Sequence, residues 1–241
     1  MKNEIKWIEV NSYDEMSNVA AHIFTEQLQA KPASILGLAT GGSPVGMYKE
    51  LVKRQQAGDI SFKEVTTFNL DEYVGLEQNS PASYWTFMHE NLFNHVDINE
   101  EKIHLPNGKA TDLEAECVAY DAQIAEAGGI DLQLLGIGVN GHIGFNEPGT
   151  SFDSLTNIVE LTESTRTENA IYFDNPEAVP THAITMGIQS IMNARAIVLI
   201  AFGEKKLEAI EKLKGGEVTE AFPASRLLNH PNVTIIYGGT K

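Results

Sequence analysis

The sequence predicts an α/β protein built on a single, doubly wound, mostly parallel sheet with helices on both faces. Three observations predict this class. Strand-like and helix-like segments alternate along nearly the whole chain, several of the strand-like segments are apolar on both faces, and no internal repeat or linker-like stretch divides the 241 residues. Parallel strands that helices cover on both sides have this pattern. We therefore expect one domain that spans residues 1–241.

The elements of the first half follow from apolar spacing and from residues that begin or end helices. Ser12 or Asp14 can cap the first helix and Pro32 ends it, and Asp112 can cap the fourth helix. The chain begins with a short, edge-like strand. The predicted elements are strand 6–10, a helix to about Ala30, strand 34–39, helix 45–57, strand 65–69, loop 70–81, helix 82–94, weak strand 103–105 and helix 113–127.

The second half opens with an apolar run from Ile130, which lies between glycines and therefore indicates a buried strand. Residues 195–202, RAIVLIAF, form the most apolar strand of the chain. The remaining predicted elements are strand 157–161, helix 163–173, strand 182–186, helix 205–214, a short helix 223–228 and a final strand 233–237. This alternation is that of a Rossmann-like sheet.

Composition and charge limit the possible partners. The formal net charge is −16 and the sequence pI is near 4.8, so the surface repels nucleic acid and anionic membranes. A small anionic substrate is still compatible, because backbone N–H groups and one or two cations can hold a phosphate. No apolar run is long enough to span a bilayer, and the N-terminus does not have the pattern of a signal peptide. The one cysteine, Cys117, lies in an amphipathic segment and is expected to be a buried, inert thiol. We therefore expect a cytoplasmic protein.

The residues that follow the strand from Ile130 concentrate polar chemistry. The stretch 136–149, GIGVNGHIGFNEPG, carries five glycines and one proline, and among them Asn140, His142, Asn146 and Glu147. A glycine-rich loop at the carboxyl end of a buried strand is where open α/β sheets place their sites. The alternative is a long surface loop in which the histidine is incidental.

A second loop has the parts of an anion site. TGGSP, residues 40–44, lies between a buried strand and a helix start, where Ser43 can cap the helix and Pro44 suits its first position. The backbone N–H groups of Gly41, Gly42 and Ser43 can converge on a phosphate at the positive end of the helix dipole. The spacing is not that of a Walker A loop. A plain strand-to-helix turn is the alternative.

Two adjacent carboxylates follow the strand 65–69. Asp71 and Glu72 lie at the same predicted rim as the two loops. On a loop, such a pair is usually solvated surface charge. A phosphate loop, a carboxylate and a histidine that meet in one crevice favour a catalytic role instead.

GIGVNG, residues 136–141, matches the G-x-G-x-x-G dinucleotide fingerprint only formally. That fingerprint requires a helix that opens at its third glycine. Gly144, Pro148 and Gly149 prevent a helix after Gly141, so a nicotinamide site is a weak interpretation.

Five stretches closely resemble the glucosamine-6-phosphate deaminase family. The resemblance runs from about Ser34 to Lys214 and implies conversion of glucosamine 6-phosphate and water to fructose 6-phosphate and ammonia. It also implies that neither metal nor organic cofactor takes part. The stretches are, in order, TGGSP (40–44), FNLDEYVGL (68–76), SYWTFMHENLF (83–93), GIGVNGHIGFNEPG (136–149) and THAITMGI (181–188).

The resemblance assigns roles to the candidate residues. His142 would move a proton to the ring oxygen with Asn140 and Glu147 orienting it, and Asp71 would be the general base that moves the C2 proton to C1. Lys206 matches a lysine of the family that binds phosphate; from the residues alone it could equally be solvated. The phosphate would lie on Thr40, Gly41, Gly42 and Ser43.

The sequence departs from the family pattern at three places. Asn140 stands where some members have aspartate, so we expect His142 to stay neutral to lower pH. Ile171 stands where the family has a phosphate-binding arginine, and Arg166 is the nearest cation. Asn157 and Val159 stand where longer, hexameric members have basic residues for allosteric activation. We expect a non-allosteric enzyme that is a monomer or a low-order homo-oligomer.

Three alternatives remain at the level of the sequence. The substrate could be galactosamine 6-phosphate, since nothing in the sequence fixes the C4 epimer. The protein could be a hydrolase of the 6-phosphogluconolactonase type, which would need His142 and little from Asp71. It could also be a regulator that binds a phosphosugar without turnover, although the intact Asp71, His142 and Glu147 argue against this.

Overall fold

Strands and helices alternate along residues 5–173 and 175–239, which the computed structural model describes. Short 3₁₀ helices lie at Phe93–His95, Glu100–Lys102, Ala170–Tyr172, Pro176–Ala178 and Pro223–Asn229. The strands and α-helices are β1 (Lys6–Glu9), α1 (Tyr13–Ala30), β2 (Ile35–Leu38), α2 (Val45–Gln56), β3 (Thr66–Asn69), β4 (Asp71–Tyr73), α3 (Tyr84–Asn91), β5 (Ile103–His104), α4 (Leu113–Glu126), β6 (Leu132–Leu135), β7 (Asn157–Glu160), α5 (Glu163–Asn169), β8 (His182–Thr185), α6 (Ile188–Met192), β9 (Ile197–Phe202), α7 (Glu204–Lys214) and β10 (Val233–Gly238).

The central sheet has seven parallel strands in the order β1-β10-β9-β6-β2-β3-β5. Its middle strands β2, β6 and β9 are almost wholly buried, as strands covered on both faces must be. The predicted α/β class with a mostly parallel sheet is confirmed, and β1 lies at an edge as expected. The domain boundary at 1–241 stays a prediction.

The strand order reverses between β2 and β6. The chain moves from β2 to β3 on one side, and from β6 to β9 on the other. The connections that leave these two strands therefore diverge to opposite faces and open a crevice at their carboxyl ends. The loop 40–44 follows β2 and the loop 136–149 follows β6, so both candidate loops begin at this crevice.

A second sheet corrects the predicted single sheet. Strands β4, β8 and β7 form a three-stranded antiparallel sheet in which Asp71 pairs with Thr185. Leu70 joins it to the central sheet, because its N–H donates to Leu38 O (3.0 Å) and its carbonyl accepts from Met186 N (2.7 Å). The prediction of a loop at 70–81 was therefore wrong for Asp71–Tyr73. The polar residues of β4 are buried, so a hydrophobicity pattern does not indicate this strand.

The helix ends show which predicted caps and helix lengths agree with the structure. The Ser12 and Asp112 side chains cap α1 and α4, as predicted. Ser43 does not cap α2: Pro44 occupies the N-cap position and no side chain caps this helix. Helices 82–94 and 163–173 were predicted too long, since α3 and α5 give way to 3₁₀ turns, and α6 was not predicted.

The remaining predictions about the whole chain concern the thiol and the membrane. Cys117 is buried, and burial raises the pKa of its thiol to about 11, as expected of an inert side chain. In the described part of the chain, no helix combines the length and the apolar character that crossing a bilayer requires.

Candidate active site

A cavity of about 360 Å³ lies at the carboxyl ends of β2, β3 and β6. The loop after β2, strand β4, the loop after β6 and the first turn of α7 all contribute to its walls. The structure therefore brings most of the predicted site residues together: Thr40, Gly41, Gly42, Ser43, Asp71, His142 and Lys206 line the cavity. Asn140 and Glu147 contact or approach His142 and are not among the lining residues.

The loop after β2 presents backbone donors. Gly41 has a φ of +94°, which favours glycine and lets the chain turn sharply from β2 toward α2. Among the residues that the structure describes, none accepts a hydrogen bond from the backbone N–H groups of residues 40–43. These donors lie in the turn before α2, where an anion is favoured by the helix dipole.

Lys206, in the first turn of α7, lines the same cavity as this loop. Gly203, with a φ of +110°, precedes the helix, and its carbonyl accepts from Lys206 N at 2.9 Å. Within the described ranges, Lys206 is the only lysine or arginine that lines the cavity. Arg166 donates to Val179 O at 3.2 Å instead, and Ile171 is 78% exposed. Neither residue supplies a second cation to the lining.

Asp71 begins β4 and is 7% exposed. Burial raises the pKa of its carboxyl from 3.8 to about 8, and the neighbouring Glu72 carboxylate adds to the shift. A carboxylate with such a pKa is a stronger base than an ordinary aspartate. A perturbed carboxyl in a cavity is a candidate for acid-base chemistry.

Glu72 follows Asp71 on β4, so its side chain points to the opposite face of the strand. There it makes hydrogen bonds to backbone N–H groups. Its carboxylate accepts from the N–H groups of Tyr73 (2.9 Å), Tyr84 (3.0 Å) and Trp85 (3.0 Å). Burial raises the Glu72 pKa, while these hydrogen bonds act in the opposite direction. The side chain thus fixes the start of α3 against β4, beside Asp71.

His142, Asn140 and Glu147 form a hydrogen-bonded chain. Asn140 Nδ2 donates to Glu147 Oε2 at 2.7 Å, which turns Asn140 Oδ1 toward His142 Nδ1 at 2.8 Å. Because an amide oxygen only accepts, Nδ1 carries the proton and Nε2 is the acceptor nitrogen of the neutral ring. Glu147 Oε1 also lies 3.8 Å from Nδ1. An anionic group is therefore near His142 even though residue 140 is an amide.

Two glycines of the loop 136–149 make room for side chains at the cavity. A Cβ on Gly138 would lie 2.1 Å from His142 Nδ1. Gly144 has a φ of +56°, and a Cβ there would lie 2.9 Å from Thr185 Oγ1 and 3.6 Å from Asp71 Oδ2. In the described structure no helix begins at Gly141, so the dinucleotide fingerprint is only formal, as expected.

This packing predicts different effects for two alanine substitutions. Gly138→Ala is expected to push the imidazole of His142 aside and lower kcat by about 10²-fold, because misplacing a catalytic group by about 1 Å has an effect of that size. Gly136→Ala is the matched control: Gly136 also lines the cavity, and a Cβ there meets nothing within 4 Å. Steady-state kinetics of both variants measure the difference. Equal activity of the two variants would contradict the packing argument.

Four residues that line the cavity and hydrogen-bond to one another or to Glu147 were not among the predicted site residues. Tyr73 lies two positions after Asp71 on β4, so both side chains point to the same face, but a predicted loop has no such alternation. Thr165 donates to Glu147 Oε1 (3.1 Å), and Asn169 donates to the Tyr73 hydroxyl (2.8 Å). The i, i+4 spacing of Thr165 and Asn169 on α5 could have indicated their shared face. The fourth residue is Tyr84, whose hydroxyl lies 3.3 Å from that of Tyr73.

Among the described residues, no group of three or more His, Cys, Asp or Glu side chains has the arrangement of a metal site. The cavity instead combines backbone donors, one lysine, a buried carboxyl and an oriented imidazole. This set can bind a small anion at one end and move protons at the other.

The sequence is similar to a known protein family and to individual proteins of bacteria. A family model described as glucosamine-6-phosphate isomerases/6-phosphogluconolactonase matches residues 11–236. The chain is 78% identical to a glucosamine-6-phosphate deaminase of Lysinibacillus sphaericus over 236 residues, which cover 98% of this chain and 100% of the relative. It is 56% identical to the corresponding protein of Halalkalibacterium halodurans over 232 residues, which cover 96% and 94% of the two chains.

Two solved structures are also similar to this chain. The structure of a monomeric glucosamine-6-phosphate deaminase superposes with a TM-score of 0.95 at 47% identity, covering 97% of each chain. A 6-phosphogluconolactonase from Thermotoga maritima superposes with a TM-score of 0.76 at 18% identity, covering 98% of this chain and 100% of that one. The second similarity concerns the fold alone.

Proposed function

This chain belongs to the family of glucosamine-6-phosphate isomerases and 6-phosphogluconolactonases, and we propose that it is an enzyme that converts glucosamine 6-phosphate and water to fructose 6-phosphate and ammonia. The observation that carries the proposal is the cavity that joins Asp71, His142 and the loop 40–43. Such a reaction needs a base, a group that opens the sugar ring and a phosphate site, and the cavity offers a candidate for each.

In the proposed mechanism the phosphate group anchors the substrate. The N–H groups of residues 40–43 and the ammonium group of Lys206 hold it at one end of the cavity. The sugar ring then extends toward Asp71 and His142. Binding energy from the phosphate, which does not react, serves to position the carbons that do.

His142 opens the ring. Ring opening moves the proton of the O1 hydroxyl to the ring oxygen, and Nε2 is the nitrogen that takes it from O1 and delivers it, since Nδ1 is held by Asn140. Glu147 orients the amide of Asn140, and Thr165 in turn holds Glu147. Asn140 and Glu147 are therefore positioning residues in this mechanism.

Asp71 moves the proton between carbons. In the open-chain sugar its carboxylate removes the proton from C2 while O1 takes up a proton from the substrate's ammonium group, which gives an enolamine, and Asp71 then returns its proton at C1. The resulting C2 imine takes up water and releases ammonia, leaving the ketose phosphate. The burial of Asp71 keeps its conjugate acid from exchanging quickly with solvent.

A lactonase is the second candidate activity, because the family model covers both activities. A lactone hydrolysis would not require a buried carboxyl whose pKa is raised to about 8. Initial rates with glucosamine 6-phosphate, galactosamine 6-phosphate and 6-phosphogluconolactone test the choice. We expect ammonia from the first substrate; rapid lactone hydrolysis without ammonia from either amino sugar would sink the deaminase proposal.

Lys206 is expected to act in binding. Lys206→Ala should raise KM for glucosamine 6-phosphate by about 10- to 100-fold, the size of a lost charge-assisted hydrogen bond, with a smaller change in kcat. Lys205→Ala is the control, since Lys205 is exposed and does not line the cavity. A KM of the Lys206 variant equal to that of the control would contradict the role.

The pH profile should report the raised pKa of Asp71. The base acts only when ionised, so kcat/KM is expected to rise with pH up to about 8, the pKa of the buried carboxyl. Glu72→Gln removes the second cause of the shift and should move this acid limb to lower pH. An acid limb with a midpoint in the ordinary aspartate range, about 4, would contradict the assignment of Asp71 as base.

The proposal also covers the location, the pathway and the oligomeric state of the enzyme. The enzyme acts in the cytoplasm in amino-sugar catabolism and the use of N-acetylglucosamine, takes a small sugar phosphate and requires neither nucleic acid nor membrane. The structural similarity to a monomeric deaminase supports a monomer or a low-order homo-oligomer. Asn157 and Val159, in place of the basic residues of longer members, support the absence of allosteric control. A sigmoidal rate curve that N-acetylglucosamine 6-phosphate makes hyperbolic would contradict the last point.

A further inference from the structure

Tyr13 lies outside the lining of the cavity, in the first turn of α1, yet it contacts the loop that follows β2. Its hydroxyl accepts from Gly46 N at 2.8 Å and donates to the carbonyl of Gly42 (2.9 Å) or Ser43 (3.1 Å). One side chain from a distant part of the sequence thus contacts two carbonyl groups of the loop 40–43 and one N–H group in the first turn of α2.

These contacts determine where the loop donors point. In a trans peptide the carbonyl oxygen and the following N–H lie on opposite sides. The carbonyl of Gly42 faces Tyr13, so the N–H of Ser43 faces away from Tyr13. Ser43 lines the cavity and Tyr13 does not, so a peptide held in this way can present the Ser43 N–H to the cavity.

The ring of Tyr13 reaches the other half of the phosphate site. It packs edge-on against Phe202, with ring centroids 6.3 Å apart and planes at 72°. Phe202 ends β9 and is followed by Gly203, the residue that starts the helix carrying Lys206. Tyr13 therefore contacts both the loop with the backbone donors and the end of the strand that leads into α7.

The packing around Gly46 keeps Tyr13 in place. A Cβ on Gly46 would lie 2.8 Å from Tyr13 Cε1 and 2.2 Å from Ser17 Oγ. The absence of a side chain at position 46 thus lets α1 approach α2 closely enough for the hydroxyl to reach the loop.

We propose that Tyr13 is a positioning residue for phosphate binding, which fixes the loop 40–43 relative to the first turn of α7, where Lys206 lies. The proposal rests on the proposed function, because it assigns the phosphate to this loop. Tyr13 acts on the donors and touches neither the reacting carbons nor Asp71 and His142. Its loss should therefore weaken binding and leave the chemical step nearly unchanged.

Tyr13→Phe tests the proposal, because it removes the hydroxyl and keeps the ring against Phe202. We expect KM for glucosamine 6-phosphate and the Kd of inorganic phosphate, measured by calorimetry, to rise together by about three- to tenfold. The value of kcat should stay within about twofold of wild type, since the chemistry lies elsewhere. Tyr237→Phe is the control, because its hydroxyl donates to Glu9 Oε2 (3.3 Å) on β1, away from the cavity lining.

The outcomes separate this inference from the proposed function. An unchanged phosphate Kd, or a kcat that falls as much as KM rises, would overturn the role of Tyr13. A wild-type protein that releases no ammonia from glucosamine 6-phosphate would overturn the proposed function instead, and the phosphate Kd of Tyr13→Phe would still decide the role of the tyrosine.

Discussion

Asp71→Asn is expected to lower kcat for deamination by about 10²–10⁴-fold, the range for loss of a positioned general base. The substitution keeps the size and shape of the side chain, so KM should change much less than kcat. The physical reason is that an amide cannot take the C2 proton, whatever its surroundings. Steady-state rates of ammonia release by the wild type and the variant measure the effect.

The same variant should be more stable than the wild type at pH 8. Because burial raises the pKa of Asp71 to about 8, the unfolded chain loses this proton first, and stability falls as pH rises from about 4 to 8. Asparagine has no such titration. We expect a higher melting temperature for the variant, by about 2–4 °C for each kcal/mol recovered. An active variant, or an inactive one with a lower melting temperature, would contradict this account of Asp71.

His142→Gln is expected to lower kcat on the order of 10²-fold or more, because glutamine cannot deliver a proton to the ring oxygen. Ring opening should then become the slow step. The kinetic isotope effect of a substrate deuterated at C2 should shrink toward one in this variant, since the C2–H bond breaks after the slow step. Rates with labelled and unlabelled substrate measure both effects.

His22→Gln is the matched control for this substitution. His22 lies on the exposed surface of α1, where its ring nitrogen is 3.5 Å from Glu26 Oε1, and it does not line the cavity. Its kcat should equal that of the wild type. A His142 variant with a larger C2 isotope effect than the wild type would place His142 in the carbon proton transfer and not in ring opening.

Features of the site that depend on local sequence could be predicted. Glycines with a left-handed φ, such as Gly41, mark the turn after β2, and the polar residues of the loop 136–149 stand out against its glycines. The position of both loops at one crevice followed from strand alternation. Ser12 and Asp112 were recognisable as caps because their contacts are three residues away.

Features that depend on tertiary pairing could not be predicted. Strand β4 exists because Asp71–Tyr73 pairs with β8, more than a hundred positions along the chain. A hydrophobic pattern cannot show a strand whose buried residues are charged. The raised pKa of Asp71 is a product of that burial, and the contacts of Tyr13 with the loop after β2 likewise arise only when α1 packs on α2.

The stoichiometry of the wild-type reaction tests the central claim most directly. Purified protein mixed with glucosamine 6-phosphate should release ammonia and fructose 6-phosphate in equal amounts, and the same concentration of Asp71→Asn should release almost none of either. Absence of both products from the wild type, or undiminished products from the Asp71 variant, would contradict deamination by this carboxylate in this cavity.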